Sequence, residues 1–257
     1  MTGKSQDSCP TPLAFHLSAL AEKYETKEFL VGDPSWFMHQ VEGEANKELL
    51  AFIASSLSYG SRKQFLPKIQ YILDRSGGEV EKWLLNERYM NDIPDDSHCY
   101  YRLYSNHAMR TFLDALTLML RQYAGMKSFV GPSTCLEAIE KITQWFALHG
   151  SGGVIPKDAS SCCKRICMFL RWMVRSDSPV DLGLWSDIID RRTLIIPMDT
   201  HVLQEACRLG LLTSKTTSMT TAIRLTDSLR EIFPDDPLKG DFALFGLGVD
   251  EERWRGL

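Results

Sequence analysis

Residues 160–175 read "SSCCKRICMFLRWMVR". At about 100° per residue, Lys164, Met168, Arg171 and Arg175 fall in one narrow stripe, while Ile166, Phe169, Leu170, Met173 and Val174 gather on the opposite side. The segment is therefore predicted to be an amphipathic helix with one core face and one cationic face. From 157 to 175, five Lys or Arg (Lys157, Lys164, Arg165, Arg171, Arg175) meet a single acid, Asp158, giving a local charge of +4 in a chain whose net charge is −4. Charge alone leaves two readings open: a solvated helix face, or a surface that displaces condensed counterions from a phosphate backbone.

Outward from this stretch the same periodicity recurs. Apolar residues stand at helical spacing in 12–22, 46–57, 78–85, 100–120 and 135–148, and again in 162–174, 201–211, 219–233 and 241–247. Thr134 and Glu137 have the spacing of a capping box at the head of the 135–148 helix. Breaks are expected at Gly32-Asp-Pro, Arg75-Ser-Gly-Gly, Asp92-Ile-Pro-Asp-Asp, Gly150-Ser-Gly-Gly, Ser176-Asp-Ser-Pro and Phe233-Pro-Asp-Asp-Pro. Alternating strand patterns are nearly absent, and there is no internal repeat or long linker, so the expected class is an all-α assembly.

Composition narrows the classes of function. With 257 residues, 44% hydrophobic and 24% charged, the chain is long enough to build a proper core without staples. The opening MTGKSQDSCPTPLAFHL lacks the order of a signal peptide, and no apolar run is long enough for a bilayer, so a cytoplasmic protein without membrane contact is expected. Seven cysteines without repeated CxxC spacing read as buried small hydrophobes rather than disulfides. A net charge of −4 argues against nonspecific coating of nucleic acid but allows a local basic groove.

A second stretch, "LIIPMDTHVLQEACRLGLL" at 194–212, places Asp199 at the entrance of a helix after an apolar run and a proline. Asp is a preferred N-cap, its carboxylate accepting from free backbone N–H groups at the positive end of the helix dipole. Capping alone accounts for such a residue. His201 in the first turn reads as structural, with no second His or Cys at metal-ligand spacing; no metal and no cofactor are expected.

"MDTHVLQEACRLGLL" resembles the segment after the helix-hairpin-helix of the HhH-GPD superfamily of DNA glycosylases. "ELLAFIASSLSYGSRKQFLPKI" is similar to that superfamily's first core helix and the DNA-facing turn after it, and "DFALFGLGV" to its late helix. The set, with "CKRICMFLRWMVR", also resembles a family of uncharacterised bacterial proteins. The resemblance covers about residues 45–249, with the segments in the right order.

The resemblance implies two helical subdomains with a cleft between them, one over 40–190 carrying the lysine helix and one formed by 1–39 and 191–257. By position, Asp199 matches the catalytic aspartate and Lys164 the nucleophilic lysine of bifunctional members, facing each other across the cleft. A carboxylate near the anomeric carbon stabilises the charge built up as an N-glycosidic bond breaks, and an amine attacking that carbon forms a Schiff base. The implied activity is excision of an oxidised purine, 8-oxoguanine favoured, with AP lyase activity, by a monomer acting on double-stranded DNA that holds a damaged base. Asp241 and Phe245, four residues apart, are implied to meet the edge and the face of an extruded guanine-type base, with Met168 beside them. Arg171 and Arg175 are implied to touch backbone phosphates, and the turn Ser58-Tyr59-Gly60-Ser61 to approach the gap left by the base.

The chain also departs from the superfamily. Asp-Ala-Ser-Ser-Cys-Cys at 158–163 stands where the glycosylase hairpin carries a Gly-hydrophobic-Gly turn that grips a phosphate. The 35 residues from Lys164 to Asp199 exceed the endonuclease III spacing and are nearer that of archaeal 8-oxoguanine glycosylases. No cysteine follows Cys207, so the iron–sulfur cluster of the endonuclease III branch is not expected. A different class remains open beside the enzyme: a non-catalytic helical protein that binds nucleic acid or a partner and keeps only the architecture.

Overall fold

A computed structural model describes residues 11–150 and 153–255. The first ten residues of the opening segment, and Ser151 and Gly152 of the expected break at 150–153, lie outside the described residues. The fold is all-α, as the periodicity predicts. Helices α1 (Pro12–Tyr24), α2 (Glu44–Leu57), α3 (Arg62–Ser76), α4 (Val80–Leu85) and α5 (Tyr89–Asp92) lead to a hairpin of β1 (Cys99–Tyr101) and β2 (Tyr104–Ser105). Then follow α6 (Asn106–Tyr123), α7 (Met126–Val130), α8 (Cys135–Leu148), α9 (Lys164–Val174), α10 (Thr200–Arg208), α11 (Met219–Arg230) and α12 (Lys239–Arg255). No helix among the described residues is long and apolar enough to cross a membrane.

Local chemistry sets the helix starts. Thr134 and Glu137 form the predicted capping box of α8, each side chain accepting from the other's backbone N–H, and the side chains of Thr11, Ser105, Asp199 and Ser218 cap α1, α6, α10 and α11.

Two segments differ from the sequence reading. The helix expected over 100–120 opens instead as a hairpin: Arg102 takes a left-handed φ of 50°, and the Asn106 and His107 N–H groups run back to the carbonyls of His98 and Asp96. Tyr100, Tyr101 and Tyr104 stand at helical spacing yet are buried by the hairpin. Conversely, α3 has no counterpart among the predicted helices. Pro67 removes one i to i−4 hydrogen bond inside it, but Phe65, Ile69 and Ile72 still share one buried face.

The buried apolar residues, Val180 and Phe242 apart, form one continuous cluster from Leu17 to Leu244. Helix α2 runs through it, every residue from Glu48 to Leu57 buried, against the 3-10 turn Pro34–His39, α3, α4 and α9. Both α1 and α10 pack on α12. There Gly246 lies so close to the Tyr24 ring that any side chain would displace it. Glu48 is the one charged residue in the buried run of α2, and its carboxylate accepts from the Met126 and Lys127 N–H groups at 2.9 and 3.0 Å and from the Trp185 indole N–H at 2.8 Å. It thereby holds the first turn of α7. Burial pushes the Glu48 carboxyl above its ordinary value, the three donors notwithstanding.

Candidate active site

A cavity of about 920 Å³ opens where the end of α2, the start of α3, α9, α10 and α12 converge. Lys164 is the first residue of α9 and Asp199 is the N-cap of α10. Asp199 Oδ1 accepts from the Val202 N–H at 2.9 Å, as a cap should, and Oδ2 meets Lys164 Nζ at 2.7 Å. Both side chains are about a third exposed, on the cavity wall. Burial disfavours the charge on Asp199, but the Lys164 ammonium and the Val202 N–H outweigh it and hold the carboxyl below its usual range. His201 is exposed at the same wall.

The basic stripe of α9 exists, but it points inward. Lys164, Met168 and Arg171 all line the cavity, whereas Arg175 lies deeper. Arg171 is 4% exposed and Arg175 1%, so the expectation that they contact DNA phosphates is corrected: they are structural cations. Arg171 pairs with Asp181 and Asp241, and Arg175 with Asp181, Asp236 and Glu25. Both guanidiniums also lie over the Phe242 ring, at 4.5 and 5.3 Å from its centroid. Burial opposes their charge, yet the surrounding carboxylates more than compensate and raise both pKa values. A buried cation must be paired, and carboxylates from four other parts of the chain pair these.

That network changes the reading of Asp241. It lines the cavity, but its Oδ2 is already taken by Arg171. Burial is the largest influence on its carboxyl and raises it, against the pull of Arg171, and nearby Asp199 adds to the rise. Phe245, one turn on, stands at the wall with Phe29 edge-on to it, ring centroids 5.1 Å apart, and the Arg62 guanidinium 5.6 Å over its ring. Asp33, Phe29 and Arg62 are wall residues that the sequence reading did not bring to the site. The Gly32-Asp-Pro signal marked only a break, and nothing in spacing ties residue 33 to residue 245.

The turn Ser58-Tyr59-Gly60-Ser61 is at the mouth, with Ser58, Tyr59 and Gly60 on the wall and Ser61 exposed as the residue before α3. Its shape is fixed from outside. Tyr101 donates its hydroxyl to the Tyr59 carbonyl, Arg102 lies over the Tyr59 ring at 4.8 Å, and Arg165 donates to the Ser56 carbonyl at 2.5 Å and the Tyr104 hydroxyl at 2.6 Å. Gly60 has φ 86°, and a Cβ there would collide with Arg102. Before α9, Asp158 accepts the Ser160 N–H at 2.9 Å and Ser161 Oγ the Cys163 N–H at 3.4 Å. Two backbone donors are thus taken by the loop's own side chains. Cys163 enters α9 with φ 43°, a left-handed residue that is not glycine. Cys135, Cys163 and Cys167 are buried, and burial pushes the Cys135 thiol up to about 12. Among the described residues no group of three or more His, Cys, Asp or Glu is placed to hold a metal ion.

Taken chemically, the site is an amine and a carboxylate in contact at the wall of a cavity with aromatic and polar lining. No curated protein and no solved structure matches the chain. A family model described as "Protein of unknown function (DUF2400)" matches residues 33–250, a span that includes every wall residue discussed except Phe29, and the chain belongs to that family.

Proposed function

We propose that the protein is a DNA glycosylase with AP lyase activity that acts on an oxidised purine in double-stranded DNA, 8-oxoguanine being the favoured lesion. One observation carries the reading: Lys164 and Asp199, 35 residues apart, meet at 2.7 Å on the wall of a cavity of about 920 Å³. Asp199 lies in a segment that resembles the HhH-GPD superfamily, and Lys164 matches by position the nucleophilic lysine of its bifunctional members. An ionised Asp199 suits a reaction that passes through a cationic sugar. Lys164, after giving up a proton, attacks C1′. The bond from C1′ to the base breaks with its electron pair going to the base, which takes up the proton Lys164 gave to Asp199, and the C1′–O4′ bond then opens, O4′ taking a proton from Nζ, to leave an imine on Nζ. Loss of a C2′ proton then expels the 3′ phosphate. With Arg171 and Arg175 buried, backbone contacts fall to exposed cations next to the wall, Arg62, Lys63, Arg102 and Lys157.

The test is borohydride trapping on duplexes holding 8-oxoguanine, uracil, thymine glycol or an abasic site. The wild type should give a covalent adduct, and Lys164→Gln should give none while still binding the duplex. An undiminished adduct with Lys164→Gln would assign the chemistry to another amine. Neither adduct nor base release from any of the four duplexes would remove the glycosylase reading.

A further inference from the structure

The cavity holds a second constellation besides the Lys164 and Asp199 pair. Asp33 is nearly buried, and its Oδ1 is fixed by the Ser35 N–H at 3.0 Å and the Ser35 hydroxyl at 2.6 Å. Phe245 is braced by Phe29, edge to face at 65°. Between these two fixed groups lies the Arg62 guanidinium, with Nη2 3.5 Å from Asp33 Oδ2 and its carbon 5.6 Å from the Phe245 centroid. The Arg62 side chain is 49% exposed, and its contact with Asp33 is long. A rigid acceptor and a rigid ring are therefore bridged by a planar cation that is loosely held.

The chemistry of that cation says what else would fit. A guanidinium is flat and carries N–H donors along its edge. Carbon 2 of a guanine ring also bears three nitrogens, N1–H, N2–H₂ and N3, so the edge of the base is itself a guanidine fragment fused to a flat ring. We propose that Arg62 is a placeholder: it occupies the subsite for a guanine-class base, whose N1–H and N2–H₂ edge goes to Asp33 and whose face goes to Phe245 once Arg62 swings into solvent. The proposal rests on the guanine-type substrate class proposed above and moves the edge acceptor from Asp241 to Asp33. Exchange at Asp241 would strip a buried guanidinium of a partner, which is costly. Exchange at Arg62 opens a half-exposed pair and leaves its cation in water, which is cheap.

The test reads nucleoside binding and needs no catalysis. Removing Arg62 vacates the subsite, so Arg62→Ala should bind guanosine up to about fivefold more tightly than the wild type, the fold-change that an exposed ion pair corresponds to. Adenosine, which lacks the guanidine edge, should gain nothing. Methylguanidine should compete with guanosine in Arg62→Ala, and adding Asp33→Asn, which keeps an N-cap for Ser35, should abolish the gain. Arg62→Lys keeps a charge that can still pair with Asp33 but loses the flat fork over Phe245, and should fall between the wild type and Arg62→Ala. Unchanged guanosine binding in Arg62→Ala, or an equal gain for adenosine, would overturn the placeholder. Were the wild type to trap on an 8-oxoguanine duplex with guanosine binding still indifferent to Arg62, the subsite would fall and the glycosylase would stand. A guanosine gain that depends on Asp33, with no adduct on any duplex, would support the subsite and remove the glycosylase.

Discussion

Asp199 serves two partners with two oxygens, the Val202 N–H and the Lys164 ammonium. The two roles separate in Asp199→Asn, because Asn caps a helix about as well as Asp. Loss of the partly exposed ion pair should cost at most about 1 kcal/mol of stability in urea unfolding. Base release should fall by about 10²–10³ if the carboxylate stabilises the transition state. Equal activity in the variant would leave Asp199 a cap and nothing more. The stability margin over Asp199→Asn also has a sign in pH. The folded carboxyl is held below its ordinary 3.8, so the margin is complete above pH 3.8 and is lost as pH falls through the depressed value. Lys164 and Asp199 could be paired from the sequence only through the resemblance, since by themselves they read as one cation of a stripe and a helix cap. Asp33 and Arg62 could not be, since what selects them is a meeting in space of a loop and the first turn of α3.

At the scale of the element, α9 shows where periodicity stops informing. The helical wheel gave the stripe and the core face correctly, and Ile166, Phe169, Leu170, Met173 and Val174 are all buried. It could not show that Glu25, Asp181, Asp236 and Asp241 close over Arg171 and Arg175. An angle on a helix says which residues share a side, not what covers that side. Arg175→Ala strands several buried carboxylates, and should lower the unfolding free energy by about 3–5 kcal/mol. Denaturant titration would read this, and a change below about 1 kcal/mol would place the network among pairs too solvated to matter. The hairpin at 99–105 failed for a related reason: tyrosines at helical spacing are also what a short hairpin buries when a left-handed residue such as Arg102 turns the chain.

For the whole molecule, the all-α class was readable because nearly every segment repeats the helical period. The continuity of the core was not, because packing of α1 and α10 on α12 is decided by shapes that no local pattern records. Glu48 is an example: within an apolar helix it stands alone in the sequence, and only the fold shows it joined to α7 and to Trp185. Its carboxyl is raised above the ordinary 4.5, so the stability it contributes is complete below pH 4.5 and is lost as pH rises through the raised value. The same bond makes Trp185 an optical gauge of the interior. Its indole is fully buried, edge-on to Phe169 of α9 with centroids 5.1 Å apart, and its N–H feels the charge on Glu48 directly. The fluorescence difference between wild type and Trp185→Phe should therefore shift in wavelength or yield as pH falls from 7 towards 4.5, while the protein is still folded, and Glu48→Gln should flatten the shift. A difference spectrum constant over that range would mean that Glu48 keeps one protonation state. If the shift is there, a single indole becomes a light-emitting reporter on the back of the helix that begins with Lys164, needing no attached dye.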